Sequence, residues 1–416
     1  MARREALARY ARGPVIVAAG AGVLGVCSYV FLTVAARRLG PVAFGELSAL
    51  WAIVFGFVAG LWYPFEQELT RLVATADDVV AAADLRRVAI TQSGALVVAE
   101  VVAAVVALRS SSLFGGVGGL ALALLVSVLS LGLSSFQRGR LLGARRFGWV
   151  AAQQSVDGVA RAVGAVGCAV TGASVGEFGL VLACAPLVGV LAALPGTPRS
   201  DRRAAPTRSW ARVLRDLLAL LAGSYLAIVL LNVGPLVVRF FSGAEATGRF
   251  MAVFVVARLP LFFAGAVVSG LLPTFVDARR SDDPARFLRV VRTVTLLLTL
   301  VAVPGAVVLG LAGPWLARTF FGSAYAGDLL TSVLLAVSSA FLLVGLVLQG
   351  ALVADDRQRA VAWTWLCGTV AFLLVLVVLE SAHIEVGVGT ALAYVVAGVV
   401  VVVAMLVTLT RSRRPA

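Results

Sequence analysis

Two charged residues stand where charge is expensive. Asp157 and Arg161 lie in an apolar run that opens near Trp149. Read as a helix, that run places them roughly 12 and 18 Å along its length at 1.5 Å per residue. Four residues apart, they share one helix face. A charge deep in a membrane helix costs ~2.5–3.5 kcal/mol on insertion scales, so such residues are candidates for function. Two readings stand side by side. The pair is either an ion pair that makes burial tolerable, or a cavity-facing arginine steadied by the aspartate. Gln153 and Gln154 widen the polar stripe on the same helix, which favours the second. A guanidinium stays charged and can donate paired hydrogen bonds to a carboxylate or a phosphate.

Other charges invite the same question. Arg258 precedes Leu259-Pro260 inside an apolar run. Proline bends a helix and frees a carbonyl, which suits a cavity wall; the alternative is a long stem snorkelling to the interface. Glu100 has no local partner and is either a neutral buried acid or a proton-coupling site. In the stretch Pro64 to Arg71, Glu68 and Arg71 are three apart, as a surface ion pair or as an entry point where Arg71 meets an anion. Asn232 and Arg239 are weaker candidates. The candidate substrate-binding set lining a cavity is therefore Arg161, Asp157, Arg258, Arg71 and Gln154, with Glu100 as a coupling candidate.

Metal and nucleophile chemistry find little support. Cys27, Cys168, Cys184 and Cys367 lie in apolar runs without a C-x-x-C pair, and His383 is the only histidine. Neither a disulfide framework nor a metal or cofactor site is indicated.

The elements that must carry these residues follow from composition. The chain has 416 residues, 61% hydrophobic and 13% charged, against about a quarter charged in soluble domains. That is the composition of an integral membrane protein. The net charge of +14 therefore speaks of topology and not of nucleic acid. The first apolar run, Pro14 to Ala36, is too long for the roughly 7–15-residue core of a secretory signal, so it reads as a retained span.

A crossing helix needs about 20 apolar residues. Twelve stretches qualify: 14–36, 45–65, 88–108, 115–135, 149–173, 177–195, 217–238, 249–272, 293–312, 329–353, 361–379 and 386–409. The positive-inside rule tests that count. With the N-terminus in the cytoplasm, 27 of the 35 basic residues fall in inside segments and six in outside ones. Both termini are thus expected in the cytoplasm. The connections leave no room for a soluble catalytic domain.

The chain also echoes itself. A shift of 203 residues lays Gly40-Pro-Val-Ala43-Phe-Gly45 on Gly243-Ala-Glu-Ala246-Thr-Gly248, each between the first two spans of a half. A shift of 212 lays Gln137 and Arg145 on Gln349 and Arg357. The basic stretch 197–216 separates the halves. The expectation is an all-α polytopic membrane protein of about twelve transmembrane helices. Its lobes are 1–196 and 217–416, six helices each, joined by the cytoplasmic linker 197–216 and related by a pseudo-two-fold along the membrane normal.

The hairpin Arg37-Arg-Leu39-Gly40-Pro41-Val-Ala-Phe44-Gly45 resembles the opening of bacterial polysaccharide flippases, in the multidrug/oligosaccharidyl-lipid/polysaccharide exporter superfamily. "LFFAGAVVSGLLPTF" (Leu261 to Phe275) is similar to that family's eighth-span ending. Phe321, Gly322 and Tyr325 resemble its F-G-x-x-Y element. The resemblance implies two lobes around a cavity that opens alternately to each side. It implies a polyprenyl-pyrophosphate-linked oligosaccharide as cargo, moved from the inner to the outer leaflet of the cytoplasmic membrane for envelope polysaccharide synthesis. Partners would then be the lipid-linked glycan, membrane lipids and other polysaccharide-synthesis proteins, with no nucleic acid and no cofactor. A multidrug or cation antiporter of the same superfamily is the alternative, although the first span carries no acidic residue. A membrane enzyme would need a larger extramembrane loop than this chain has. A non-transporting envelope-synthesis protein would keep the same fold.

Overall fold

The computed structural model describes residues 2–75, 78–109, 114–198, 209–262, 271, 274–279 and 284–411. Every regular element in them is helical. In chain order these are α1 (Ala2–Ala52), a π-helical segment (Ile53–Val58), α2 (Ala59–Thr75), α3 (Asp78–Arg109), α4 (Gly118–Gly143), α5 (Phe147–Thr171) and α6 (Val175–Ala193). They continue with α7 (Trp210–Asn232), α8 (Gly234–Ala257), the short α9 (Leu259–Phe262), α10 (Pro284–Phe321), α11 (Leu329–Ala354), α12 (Gln358–Ser381) and α13 (Val386–Arg411). Half of the expected linker and most of the Leu261 to Phe275 motif lie outside the described residues.

Among the described residues, nine stretches are long and apolar enough to cross a membrane. Two of them, Gly13–Ala74 and Ser224–Ala257, run to 62 and 34 residues and each contains a break. The breaks fall at Gly40 (φ 74°) and Gly243 (φ 81°), both left-handed and both with extended ψ. Only glycine takes that backbone without strain. Counting both sides of each break and adding α5, whose polar stripe keeps it out of the nine, gives the twelve expected helices. Several outrun their apolar cores: α2 continues through the polar "PFEQELTR" to Thr75, and α4 runs to Gly143.

The chain forms two compact units, Met1–Asn232 and Val233–Ala416. The sequence places the division at 197–216; in the structure α7 packs on α2 and α3 of the first unit. Tyr225 and Ile228 of α7 lie against Gly60, and Asn232 against Gly56. Within this unit α1 packs along α5, and α6 along both α4 and α5. The α1–α5 approach is close: a Cβ on Gly158 would sit 2.8 Å from the Leu24 Cα. Small residues at such crossings let backbones meet where lipid supplies no hydrophobic drive. In the second unit the F-G-x-x-Y residues are structural. Phe321 and Tyr325 are buried with ring centroids 6.3 Å apart, around Gly322 at φ 114°.

The internal repeat is visible in the element bounds. α4, α5 and α6 begin at 118, 147 and 175; α11, α12 and α13 begin at 329, 358 and 386, each 211 residues later. The left-handed residues between them recur at the same offset. Arg145 (φ 56°) answers Asp356 (φ 57°), and Gly172 (φ 75°) answers His383 (φ 54°). The sequence pairing at 212 is therefore one residue out. Arg357 corresponds to Arg146, not to Arg145, and the contacts agree. Arg146 Nη1 donates to the Gly196 carbonyl at 2.7 Å, and Arg357 Nη1 to the Thr408 carbonyl at 2.6 Å. Each arginine ties the turn between the first two helices of its triad to the end of the third. A cation there also suits the partial negative charge of a helix C-terminus.

Candidate functional site

α5 has a polar stripe because Gln153, Gln154, Asp157 and Arg161 recur at helical spacing. Asp157 and Arg161 form a two-point ion pair, with Nε to Oδ1 at 2.9 Å and Nη2 to Oδ2 at 3.0 Å. Both are buried, Arg161 to 2% exposure. Arg161 Nη1 also lies 3.5 Å from Ser28 Oγ on α1. Its guanidinium stands 5.2 Å from the ring of Phe55 in the π-helical segment. A π turn re-aims side chains relative to an α-helix and often marks a functional position. Gln153 donates to the carbonyl and hydroxyl of Ser134 on α4, both at 3.1 Å. The Oε1 atoms of Gln153 and Gln154 are buried acceptors with no hydrogen-bond partner among the described residues.

A second pair completes the site, and sequence reasoning missed it. Arg138 on α4 donates to both carboxylate oxygens of Glu66 on α2, at 2.9 and 2.5 Å. The sequence reading put Arg138 in an inside connection and left Glu66 without a role; both lie within helices. Arg138 also lies within electrostatic reach of Asp157 and of Tyr63. Charges thus alternate through the first unit as Glu66, Arg138, Asp157 and Arg161, spread over α2, α4 and α5. An anion entering such a chain competes with a carboxylate for a guanidinium already aimed and desolvated.

The remaining candidates stand elsewhere. Arg71 pairs with Glu68 at 2.9 and 2.7 Å; the carboxylate is buried and the arginine half-exposed. Glu100 is half-buried on α3 and makes no ion pair or hydrogen bond among the described residues. Asn232 donates to the Ile228 carbonyl of its own helix. Arg258, in the second unit, closes α8 and is 5% exposed. Its guanidinium lies 4.7 Å from the Phe254 ring and 4.5 Å from that of Tyr394, whose hydroxyl accepts the Gly234 N–H at 2.7 Å. Cation–π contacts of this kind strengthen when desolvated.

The repeat shows which charges the fold requires. At the 211-residue offset, Gln153, Gln154, Asp157 and Arg161 fall on Thr364, Trp365, Gly368 and Phe372, and Arg138 falls on Gln349. Trp365 Nε1 donates to Gln349 Oε1 at 2.7 Å, and Phe372 packs on Tyr394. The same triad is built in the second unit without a charge at any of these positions.

No family model matches the chain. Among curated proteins it is 29% identical over 374 residues to the uncharacterized protein Rv3630 of Mycobacterium tuberculosis (strain ATCC 25618 / H37Rv), covering 86% of this chain and 84% of the relative. It is 29% identical over 381 residues to the uncharacterized protein Rv1510 of the same strain, covering 88% and 85%. Solved structures share the fold at low identity. A multidrug resistance MATE family transporter of the MOP superfamily, in an inward-facing conformation, superposes with a TM-score of 0.70 at 13% identity, over 94% of this chain and 96% of that one. The lipid II flippase MurJ, inward closed, gives 0.66 at 13%, over 95% and 87%. A MOP superfamily transporter from Pyrococcus furiosus Vc1 (DSM3638) gives 0.64 at 13%, over 97% and 96%. The chain has the fold of that superfamily.

Proposed function

We propose that the protein is a transporter that moves a lipid-linked, anionic headgroup across the cytoplasmic membrane by alternating access, with a polyprenyl-pyrophosphate-linked oligosaccharide as cargo. One observation carries the reading. The first unit holds two arginines in two-point ion pairs, Arg161 buried and Arg138 a quarter exposed, at positions where its repeat partner packs well without charge. Burying charge in lipid is costly, and the fold does not demand it here, so a ligand is the remaining reason. Arg161 and Arg138 would meet the pyrophosphate, with Asp157 and Glu66 holding them until it arrives and Gln154 offering its amide. Arg71 would act at the entrance. Arg258 would contribute through its aromatic setting. The lipid tail would stay in the bilayer while the headgroup crosses. Both termini would face the cytoplasm.

The balance of charges favours a second reading. Each of the two arginines is matched by a carboxylate, and a substrate cation could compete for Glu66 or Asp157 instead. That would make the chain a cation antiporter. One experiment separates the two. Arg138→Gln and Arg161→Gln are expressed in a flippase-deficient strain, with membrane levels checked. Under the first reading glycan export falls about ten- to a hundredfold, the worth of a hydrogen bond to a charged group, and resistance to a lipophilic cation such as ethidium does not change. Export that survives both substitutions, or ethidium resistance that tracks Glu66→Gln and Asp157→Asn, would sink the flippase reading.

A further inference from the structure

We propose that the groove in front of α5 binds the headgroup of an anionic phospholipid. The groove, of about 430 Å³, is lined by Gly13 and Ile16 of α1 and by Arg145, Arg146, Phe147 and Trp149. Its level is set by two segment ends. On α1 the sequence carrying Arg3, Arg4, Arg9 and Arg12 gives way to an apolar run at Pro14, and the apolar stretch of α6 ends at Gly196. The ends meet: Gly13 abuts the Phe147 ring and Gly196 abuts the Trp149 indole. The groove therefore lies where hydrocarbon gives way to headgroups. Trp149 is 38% exposed and Ile16 43%, so the floor offers apolar surface to acyl chains below two guanidinium groups. Tryptophan and arginine at this depth suit lipid carbonyls and phosphates, and basic pockets between helices at the interface take anionic headgroups.

The repeat supplies the control. The same turn recurs before α12 with the same left-handed residue and the same arginine-to-carbonyl tie. There the sequence is Asp355-Asp356-Arg357. Backbone geometry does not call for paired arginines, since an aspartate serves at the equivalent of Arg145. Arg146 gives one bond to Gly196, and a guanidinium has five N–H donors, so the tie and a phosphate can be served together.

Arg145→Gly tests the site without endangering the fold, because glycine accepts φ 56° more readily than arginine does. The full chain is placed in nanodiscs of phosphatidylglycerol or of phosphatidylcholine, and thermal unfolding is followed. The wild type should melt higher in phosphatidylglycerol. Arg145→Gly should lose most of that difference while melting no lower than wild type in phosphatidylcholine. Native mass spectrometry should show one retained phosphatidylglycerol fewer. Arg359→Gln, beyond the equivalent turn of the second unit, should leave the difference intact. An undiminished difference in Arg145→Gly overturns the site. An equal gain from inorganic phosphate in neutral detergent overturns the lipid identity and makes the groove a simple anion site.

Discussion

Arg161 and Arg138 differ from the surface arginines in how much of their energy is electrostatic. Arg161 and Asp157 have side chains only 3% and 9% exposed. Arg138 is a quarter exposed against Glu66, and Arg249 with Glu245 is open to solvent. Breaking a buried pair by removing one partner costs about 3–5 kcal/mol, because the other charge is stranded; an exposed helix pair is worth about 0.3–0.5 kcal/mol. Double-mutant cycles read by thermal unfolding in detergent should therefore rank Asp157–Arg161 first, Glu66–Arg138 second and Glu245–Arg249 last. Asp157→Leu combined with Arg161→Met should recover much of the loss of either alone; a double variant as unstable as the sum would contradict the ranking. The first pair was readable in the sequence because i,i+4 spacing is local. The second was not. Its partners are 72 residues apart, in stretches whose polarity disguised them as connections.

Helix ends and breaks carry the next set of consequences. Gly172 and His383 occupy equivalent left-handed positions, but only the first is glycine. Holding an L-residue there costs roughly 1–2 kcal/mol. His383→Gly should raise the melting temperature, while Gly172→Ala should lower it and push on Arg38, whose Nη2 would lie 3.1 Å from the new Cβ. That contact also accounts for an arginine at the C-terminal end of the first span. Arg38 stands at the C-terminal end of α5, where a cation is favoured. Gly158→Leu should cost about 1–3 kcal/mol by overpacking against α1, seen as a lower melting point with membrane insertion retained. The breaks at Gly40 and Gly243 were legible because a turn that needs positive φ writes itself as glycine. The true extents of α2 and α4 were not, since a helix that continues past the apolar core leaves no hydropathy signal.

At the scale of the molecule, the apolar runs and the arginine alternation were enough to give twelve helices. They could not give the partners of α7. A span's neighbours depend on which face meets which, and α7 meets Gly56 and Gly60 through Tyr225, Ile228 and Asn232. A chain ended after Asn232 should resist protease in detergent better than one ended after Pro198, which leaves that side of α2 bare. Equal resistance would mean α7 adds nothing to the first unit.

The two arginine ties have a consequence for synthesis. Each joins residues only 50 or 51 positions apart, so each triad is closed by contacts local in the chain. Local closure favours fast assembly. A ribosome that has just released Gly196 into the membrane has already supplied everything α4, α5 and α6 need to lock together, long before the second unit exists. The nascent chain should then leave the insertion machinery as two successive finished parcels, and a stall between them should yield a first parcel that is already protected.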